Sequence, residues 1–95
     1  MHASVRRYRV LDVETLVKSV QEEFVERVQT IEGFVAYYVI DGGDGTVTSI
    51  TLGETKEAVE ASTAQAQHWV VERAAHLVES APVVTTGKVR VRAER

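Results

Sequence analysis

Two runs rich in β-branched and aromatic residues flank Asp41-Gly42-Gly43-Asp44-Gly45, and this arrangement constrains the fold more than any other feature of the chain. Glycines at positions 42, 43 and 45 supply the positive-φ geometry that a tight β-hairpin connection needs. The first run, Phe34 to Ile40, is apolar on both alternating sets: Phe34, Ala36, Tyr38 and Ile40 on one, Val35, Tyr37 and Val39 on the other. A strand apolar on both sides is covered on both sides. The second run, Thr46 to Leu52, returns antiparallel to it and carries Val47, Ile50 and Leu52.

The elements on either side of the hairpin follow from periodicity and punctuation. Val5 to Val10 alternates as a strand, with Arg6, Tyr8 and Val10 opposite Val5, Arg7 and Arg9. Asp12 is placed to cap a helix in which Leu16, Val17, Val20, Phe24, Val28 and Ile31 recur at spacings of three and four, and Gly33 ends it. Thr55 caps a second helix along Ala58, Val59, Ser62, Ala66, Trp69, Val70, Ala74 and Leu77, with small residues in its first half. Small residues let a helix approach its neighbour closely or leave room beneath it. Ser80-Ala81-Pro82 stops this helix, and Gly87 precedes an expected last strand in which Val89 and Val91 oppose Lys88, Arg90 and Arg92.

The resulting order, β-α-β-β-α-β, is the split β-α-β arrangement of ferredoxin-like α+β folds. One domain over residues 1–95 is expected, a four-stranded antiparallel sheet with two helices on one face. The other face is left bare and partly apolar, so a second copy of the chain is its expected cover, giving a homodimer. A single 95-residue domain buries only ~60–65% of its unfolded surface, and association adds to that.

Composition narrows the function classes. With 44% hydrophobic and 26% charged residues this is a globular domain. The absence of cysteine removes disulfide, thiolate and iron–sulfur chemistry, and small secreted domains usually need disulfides, so a cytoplasmic location is expected. Met1-His2-Ala3-Ser4 lacks the build of a signal peptide, and no apolar run reaches the ~20 residues of a membrane span. A net charge of −3 argues against nucleic-acid partners. Histidines at positions 2, 68 and 76 form no metal-binding spacing, so no metal is expected.

Across Gly33-Phe34-Val35-Ala36-Tyr37-Tyr38, the Asp41–Gly45 loop and Leu52-Gly53-Glu54, the chain resembles the antibiotic biosynthesis monooxygenase-like family of dimeric α+β barrel proteins. The resemblance covers nearly the whole length in element order. It implies a homodimer in which two sheets close into a barrel, a cavity between sheet and helices in each subunit, and a small apolar or aromatic ligand. Some such proteins oxidise polycyclic phenols with O₂ and no cofactor, some degrade haem, and many have no known activity. The chain departs from the family's pattern in two ways: it has no asparagine, and Gly53 stands where many relatives carry an aromatic residue. Trp69 and His76 match a tryptophan and histidine pair of haem-degrading relatives and are carried over as cavity residues, without haem; no cofactor is expected.

Read as chemistry, Trp69 and His76 are seven apart on roughly one helical face, where an imidazole beside an aromatic wall can act as acid or base. The plainer alternative makes Trp69 core and His76 a favourable charge at a helix end. Tyr8, Tyr37 and Tyr38 lie on neighbouring strands and offer phenols to a cavity or to a partner. Arg7 is a candidate for an anionic ligand or for partner carboxylates. The expected site is therefore His76, Tyr38 and Trp69 for catalysis, with Tyr8, Tyr37, Trp69 and Arg7 for binding.

Overall fold

In the computed structural model, which describes residues 1–95, β1 (His2–Arg9) forms the second of four strands counted from the β4 edge. It is followed by α1 (Val13–Ser19), α2 (Val25–Gln29), β2 (Phe34–Asp41), β3 (Thr46–Gly53), α3 (Lys56–Trp69) and β4 (Val83–Lys88). The sheet order is β2-β3-β1-β4, with every neighbouring pair antiparallel, as the ferredoxin-like reading requires. No helix is long and apolar enough to cross a membrane.

Local chemistry accounts for the element ends. Asp12 accepts hydrogen bonds from the backbone N–H and the hydroxyl of Thr15, at 3.1 and 2.7 Å, and so caps α1. Thr55 does the same for α3 through the Ala58 N–H at 3.1 Å. Gly33, at φ +85°, turns the chain from the first helical segment into β2, and its carbonyl accepts from Glu54 N–H across the sheet end. In the hairpin, Asp41 and Asp44 accept from the N–H groups of Gly43 and Thr46. Side-chain acceptors therefore stabilise the turn whose backbone the glycines permit.

Both helical segments contain a π-helical turn. Val20–Phe24 joins α1 to α2, and Val70–Ala74 extends α3 before a short 3₁₀ turn at Ala75–Leu77. The apolar residues at 16, 20, 24 and 28 recur strictly at four, as do positions 58, 62, 66, 70 and 74. In an ideal α-helix each such step drifts by about 40°, so a long run would leave its face. A wider π turn brings the stripe back toward the sheet.

Two expectations about strands are corrected. The last strand is Val83–Lys88, ahead of the place expected after Gly87, and Val91 is exposed. Pro82 is free to precede an edge strand, the run Val83-Val84-Thr85-Thr86 is β-branched, and Gly87 sits opposite Ala3. Phe34 does not share a face with Tyr38, because a bulge between Phe34 and Ala36 shifts the register, so Phe34 pairs with Gly53 and packs against the core.

The helix-covered face carries Tyr8, Tyr37, Val39 and Val47 in a core with Leu16, Val20, Phe24, Val28, Ala66 and Trp69. The opposite face has no cover within the chain. Its rows run Tyr38–Ile50–Val5–Thr85, Ala36–Leu52–Ala3–Gly87 and Ile40–Thr48–Arg7–Val83 across the four strands. Tyr38 and Ile40 are half exposed there.

Candidate functional site

The inward positions of β1, β2 and β3 meet the two π turns around an apolar cavity walled by Tyr8, Phe24, Tyr37, Trp69, Val20 and Val70. Phe24 stands at the centre of the aromatic set, tilted against Tyr37 (ring centroids 5.5 Å, 56° between planes) and against Trp69 (5.7 Å, 48°). The free volume is about 30 Å³. That is room for water and not for an aromatic ring, since an engineered cavity that takes benzene measures about 150 Å³. Two surface grooves share walls with it. One of about 370 Å³ runs past Val20, Tyr37 and Val39, and another of about 410 Å³ runs past Tyr8, Val70 and Val78 beside Pro82.

The π turns also carry a polar link between the helices. Glu23 Oε1 accepts from Arg73 Nε at 2.9 Å and from Trp69 Nε1 at 3.4 Å, so the cavity's tryptophan is tied to the facing helix. The Arg73 hydrogen bond holds the Glu23 carboxyl below the usual carboxylate range, partly opposed by desolvation. Nearby, Glu72 is in contact with His68 and Arg27.

Beside the cavity lies a second, polar half of the interior, built on Arg6. Its side chain is fully buried under the first half of α3. Nε donates to Ser49 Oγ at 3.1 Å, Nη2 to Thr51 Oγ1 at 3.0 Å, and Nη1 to Ser62 and Thr63 at 3.2 and 3.1 Å, with Ser4 at 3.4 Å. No carboxylate pairs with it. The small residues of α3 are thus explained: they admit a guanidinium and supply two of its hydroxyls, while Ala58 and Val59 approach Gly53 so closely that a Cβ there would stand 2.9 Å from the Ala58 Cβ. Ser49 belongs to both halves, as an Arg6 acceptor and as the cavity wall's one side chain that is not hydrophobic in character.

Burial raises the pKa of both Tyr8 and Tyr37, and the Arg6 charge pulls each the other way. For Tyr37 the neighbouring Tyr8 adds to the rise, while the Ser49 hydroxyl lowers it. Both phenols are therefore protonated donors at neutral pH.

The expected site residues divide cleanly. Tyr8, Tyr37 and Trp69 come together in the cavity. Tyr38 is on the open sheet face, and Arg7 is exposed on the same side of β1. His76 is exposed on the 3₁₀ turn and is not in the cavity wall, because the π turn and the break at Ala74 (φ −134°) end the helical face it was expected to share with Trp69. No histidine lines the cavity, so a haem placed there would find no imidazole ligand in its walls. No three His, Asp or Glu side chains gather where a metal ion could sit. Sequence reasoning missed Arg6, Ser49 and Phe24 as site residues. A signal existed for the first two: Ser4, Arg6, Ser49 and Thr51 occupy same-phase strand positions, with Ser62 in the buried stripe of the second helix.

No protein-family model matches the chain, and no curated protein matches it. Solved structures do. A monooxygenase from the gene ActVA-Orf6 of Streptomyces coelicolor, in complex with nanaomycin D, superposes with a TM-score of 0.77 at 17% identity, over 99% of this chain and 91% of that one. SnoaB, a cofactor-independent oxygenase from Streptomyces nogalater, gives 0.74 at 14% identity over 99% and 97%. A dimeric ferredoxin-like protein from an uncultured marine organism gives 0.74 at 12% identity over 99% and 91%. At these identities the likeness is one of fold: the chain has the ferredoxin-like α+β architecture on which antibiotic biosynthesis monooxygenases are built.

Proposed function

We propose that the protein is a homodimeric α+β barrel whose subunits each bind a small aromatic compound between sheet and helices and oxidise it with O₂ without a cofactor. The observation that carries this reading is the cavity, with four aromatic walls, two protonated phenols and one hydroxyl at its polar end. Such a site orients a planar substrate against the rings and offers Tyr37 and Tyr8 as proton donors to its oxygen atoms. The oxygenases that share the fold support the chemistry by analogy alone. Because the free volume is too small for a ring, binding parts the aromatic walls, and the two flanking grooves are the space into which a ligand extends.

The second copy covers the open sheet face, where Tyr38, Ile50 and Val5 form one apolar row; the solved dimeric ferredoxin-like protein supports self-association of such a fold. In this reading Tyr38 serves the interface and His76 the surface.

The test is O₂ uptake with anthrone- and quinol-type compounds. Turnover is expected, and Tyr37→Phe should reduce it on the order of 10²-fold. A panel that neither consumes O₂ nor perturbs Trp69 fluorescence contradicts the reading. A non-catalytic binder is the second reading, favoured by the contracted cavity and by the placement of His76 and Tyr38 outside it. It predicts a ligand-dependent rise in Tm with no product.

A further inference from the structure

Arg6 is a cation without an anion. A guanidinium taken fully out of water is ordinarily matched by a carboxylate, because hydrogen bonds to neutral groups satisfy its donors but leave its charge uncompensated. Here every hydrogen-bond partner is a hydroxyl, and the Tyr8 and Tyr37 phenols stand near enough for Arg6 to lower the pKa of each. The charge reaches the cavity beside the Tyr8 and Tyr37 phenols and, by a hydrogen bond, through Ser49. Ser49 Oγ accepts from Arg6 Nε, and Ser49 is part of the cavity wall; its hydroxyl hydrogen faces the Tyr37 phenol, and a bound oxyanion would take that hydrogen in the phenol's place. A hydroxyl polarised by a cation behind it is a stronger donor, and most so to a negatively charged oxygen.

We infer that the polar end of the cavity is an oxyanion subsite, with Ser49 as the contacting donor and Arg6 as the positioning cation behind it, for an aromatic ligand bound as its aryl oxyanion. The inference rests on the proposed ligand-binding role of the cavity and adds the ionisation state of what binds. The other titratable groups around the site are Tyr8 and Tyr37, both protonated, and Glu23, which Arg73 and Trp69 engage. None of them supplies a competing positive charge. On binding, the proton of a phenolic ligand passes to solvent.

The two kinds of pocket differ in sign. A purely apolar cavity disfavours the charged form and raises the pKa of a bound phenol, whereas a cation-backed donor lowers it. The probe is 4-nitrophenol, whose phenolate has its own absorbance, with 4-nitroanisole as the ether that cannot ionise. Binding is followed by fluorescence of Trp69, the one tryptophan and part of the cavity wall. The expected result is that wild type lowers the pKa of bound 4-nitrophenol by about one unit, a tenfold preference for phenolate. Ser49→Ala should still bind both probes while abolishing that shift, and Arg6→Met should do likewise if it folds. An unchanged or raised pKa in wild type overturns the subsite and leaves the cavity reading standing. A lowered pKa that persists in Ser49→Ala overturns the route through Ser49. If neither probe perturbs Trp69, the cavity reading falls and the subsite with it.

Discussion

Arg6 shows how a single residue can organise half of an interior. Six hydroxyl residues from β1, β3, α3 and β4 surround or adjoin it: Ser4, Ser49, Thr51, Ser62, Thr63 and, through Ser4, Thr86. Truncation to alanine leaves both a void and unpaired hydroxyls, so Arg6→Ala is expected to cost about 3 kcal/mol in urea unfolding. Arg6→Met, which fills most of the volume but removes the charge and its N–H donors, should cost less; equal losses in the two variants would show that the guanidinium's hydrogen bonds and charge, not its packing, hold the network. Gly53→Ala is the second residue-scale prediction. Its Cβ would meet the rigid Ala58 Cβ at 2.9 Å and Val59 Cγ1 at 3.1 Å, for an expected loss of about 1–3 kcal/mol. A neutral variant would mean that α3 shifts freely. The caps were legible from sequence at this scale, because Asp12 and Thr55 act on backbone groups three residues away. Arg6 was not, since an arginine in an alternating strand reads as solvent-facing until the hydroxyls brought to it by distant segments are known.

The helices illustrate what periodicity can and cannot convey. The stripe through Leu16, Val20, Phe24 and Val28 marked the buried face correctly, yet its strict spacing of four also encoded a π turn that a helical reading passes over. The consequence reached the site: with a second π turn after Trp69, His76 leaves the face that a continuous helix would have given it. The Glu23–Arg73 pair that spans the two turns has a pH signature. Because the folded-state pKa of Glu23 is depressed, its contribution is present above the ordinary glutamate pKa and is lost as pH falls through the lower, folded value. Tm measured against pH should therefore fall less steeply on the acid side in Glu23→Gln than in wild type; parallel profiles would remove the pair from the account. For α3, Thr55→Ala should cost about 1 kcal/mol through the lost cap, read by urea unfolding, and no loss would mean that solvent replaces the cap. The last strand escaped sequence reading for a different reason. Val89 and Val91 alternate with basic residues as an edge strand would, while the true pairing partner of β1, Val83–Lys88, lies next to the proline and contains the glycine that read as punctuation.

At the scale of the whole molecule, the hairpin and the two caps were enough to specify the β-α-β-β-α-β order, and the doubly apolar run from Phe34 to Ile40 was enough to locate an uncovered face. The bulge at Phe34 decides which of its side chains belong there, leaving Ala36, Tyr38 and Ile40 outside and Phe34, Tyr37 and Val39 within. One layer of helices thus serves the cavity, and the other side of the sheet has no cover within the chain, which is where the proposed homodimer places its second copy. A carboxylate placed among Ile50, Val5 and Ile40 in such an interface would be buried without a partner, at a cost of roughly 3–5 kcal/mol, whereas on a free surface it costs little. Sedimentation velocity at micromolar concentration is the most direct measurement: wild type is predicted to run at twice the mass of one chain and Tyr38→Asp as a folded monomer. A wild-type protein that sediments as a single chain, with Tyr38→Asp unchanged beside it, would contradict the account.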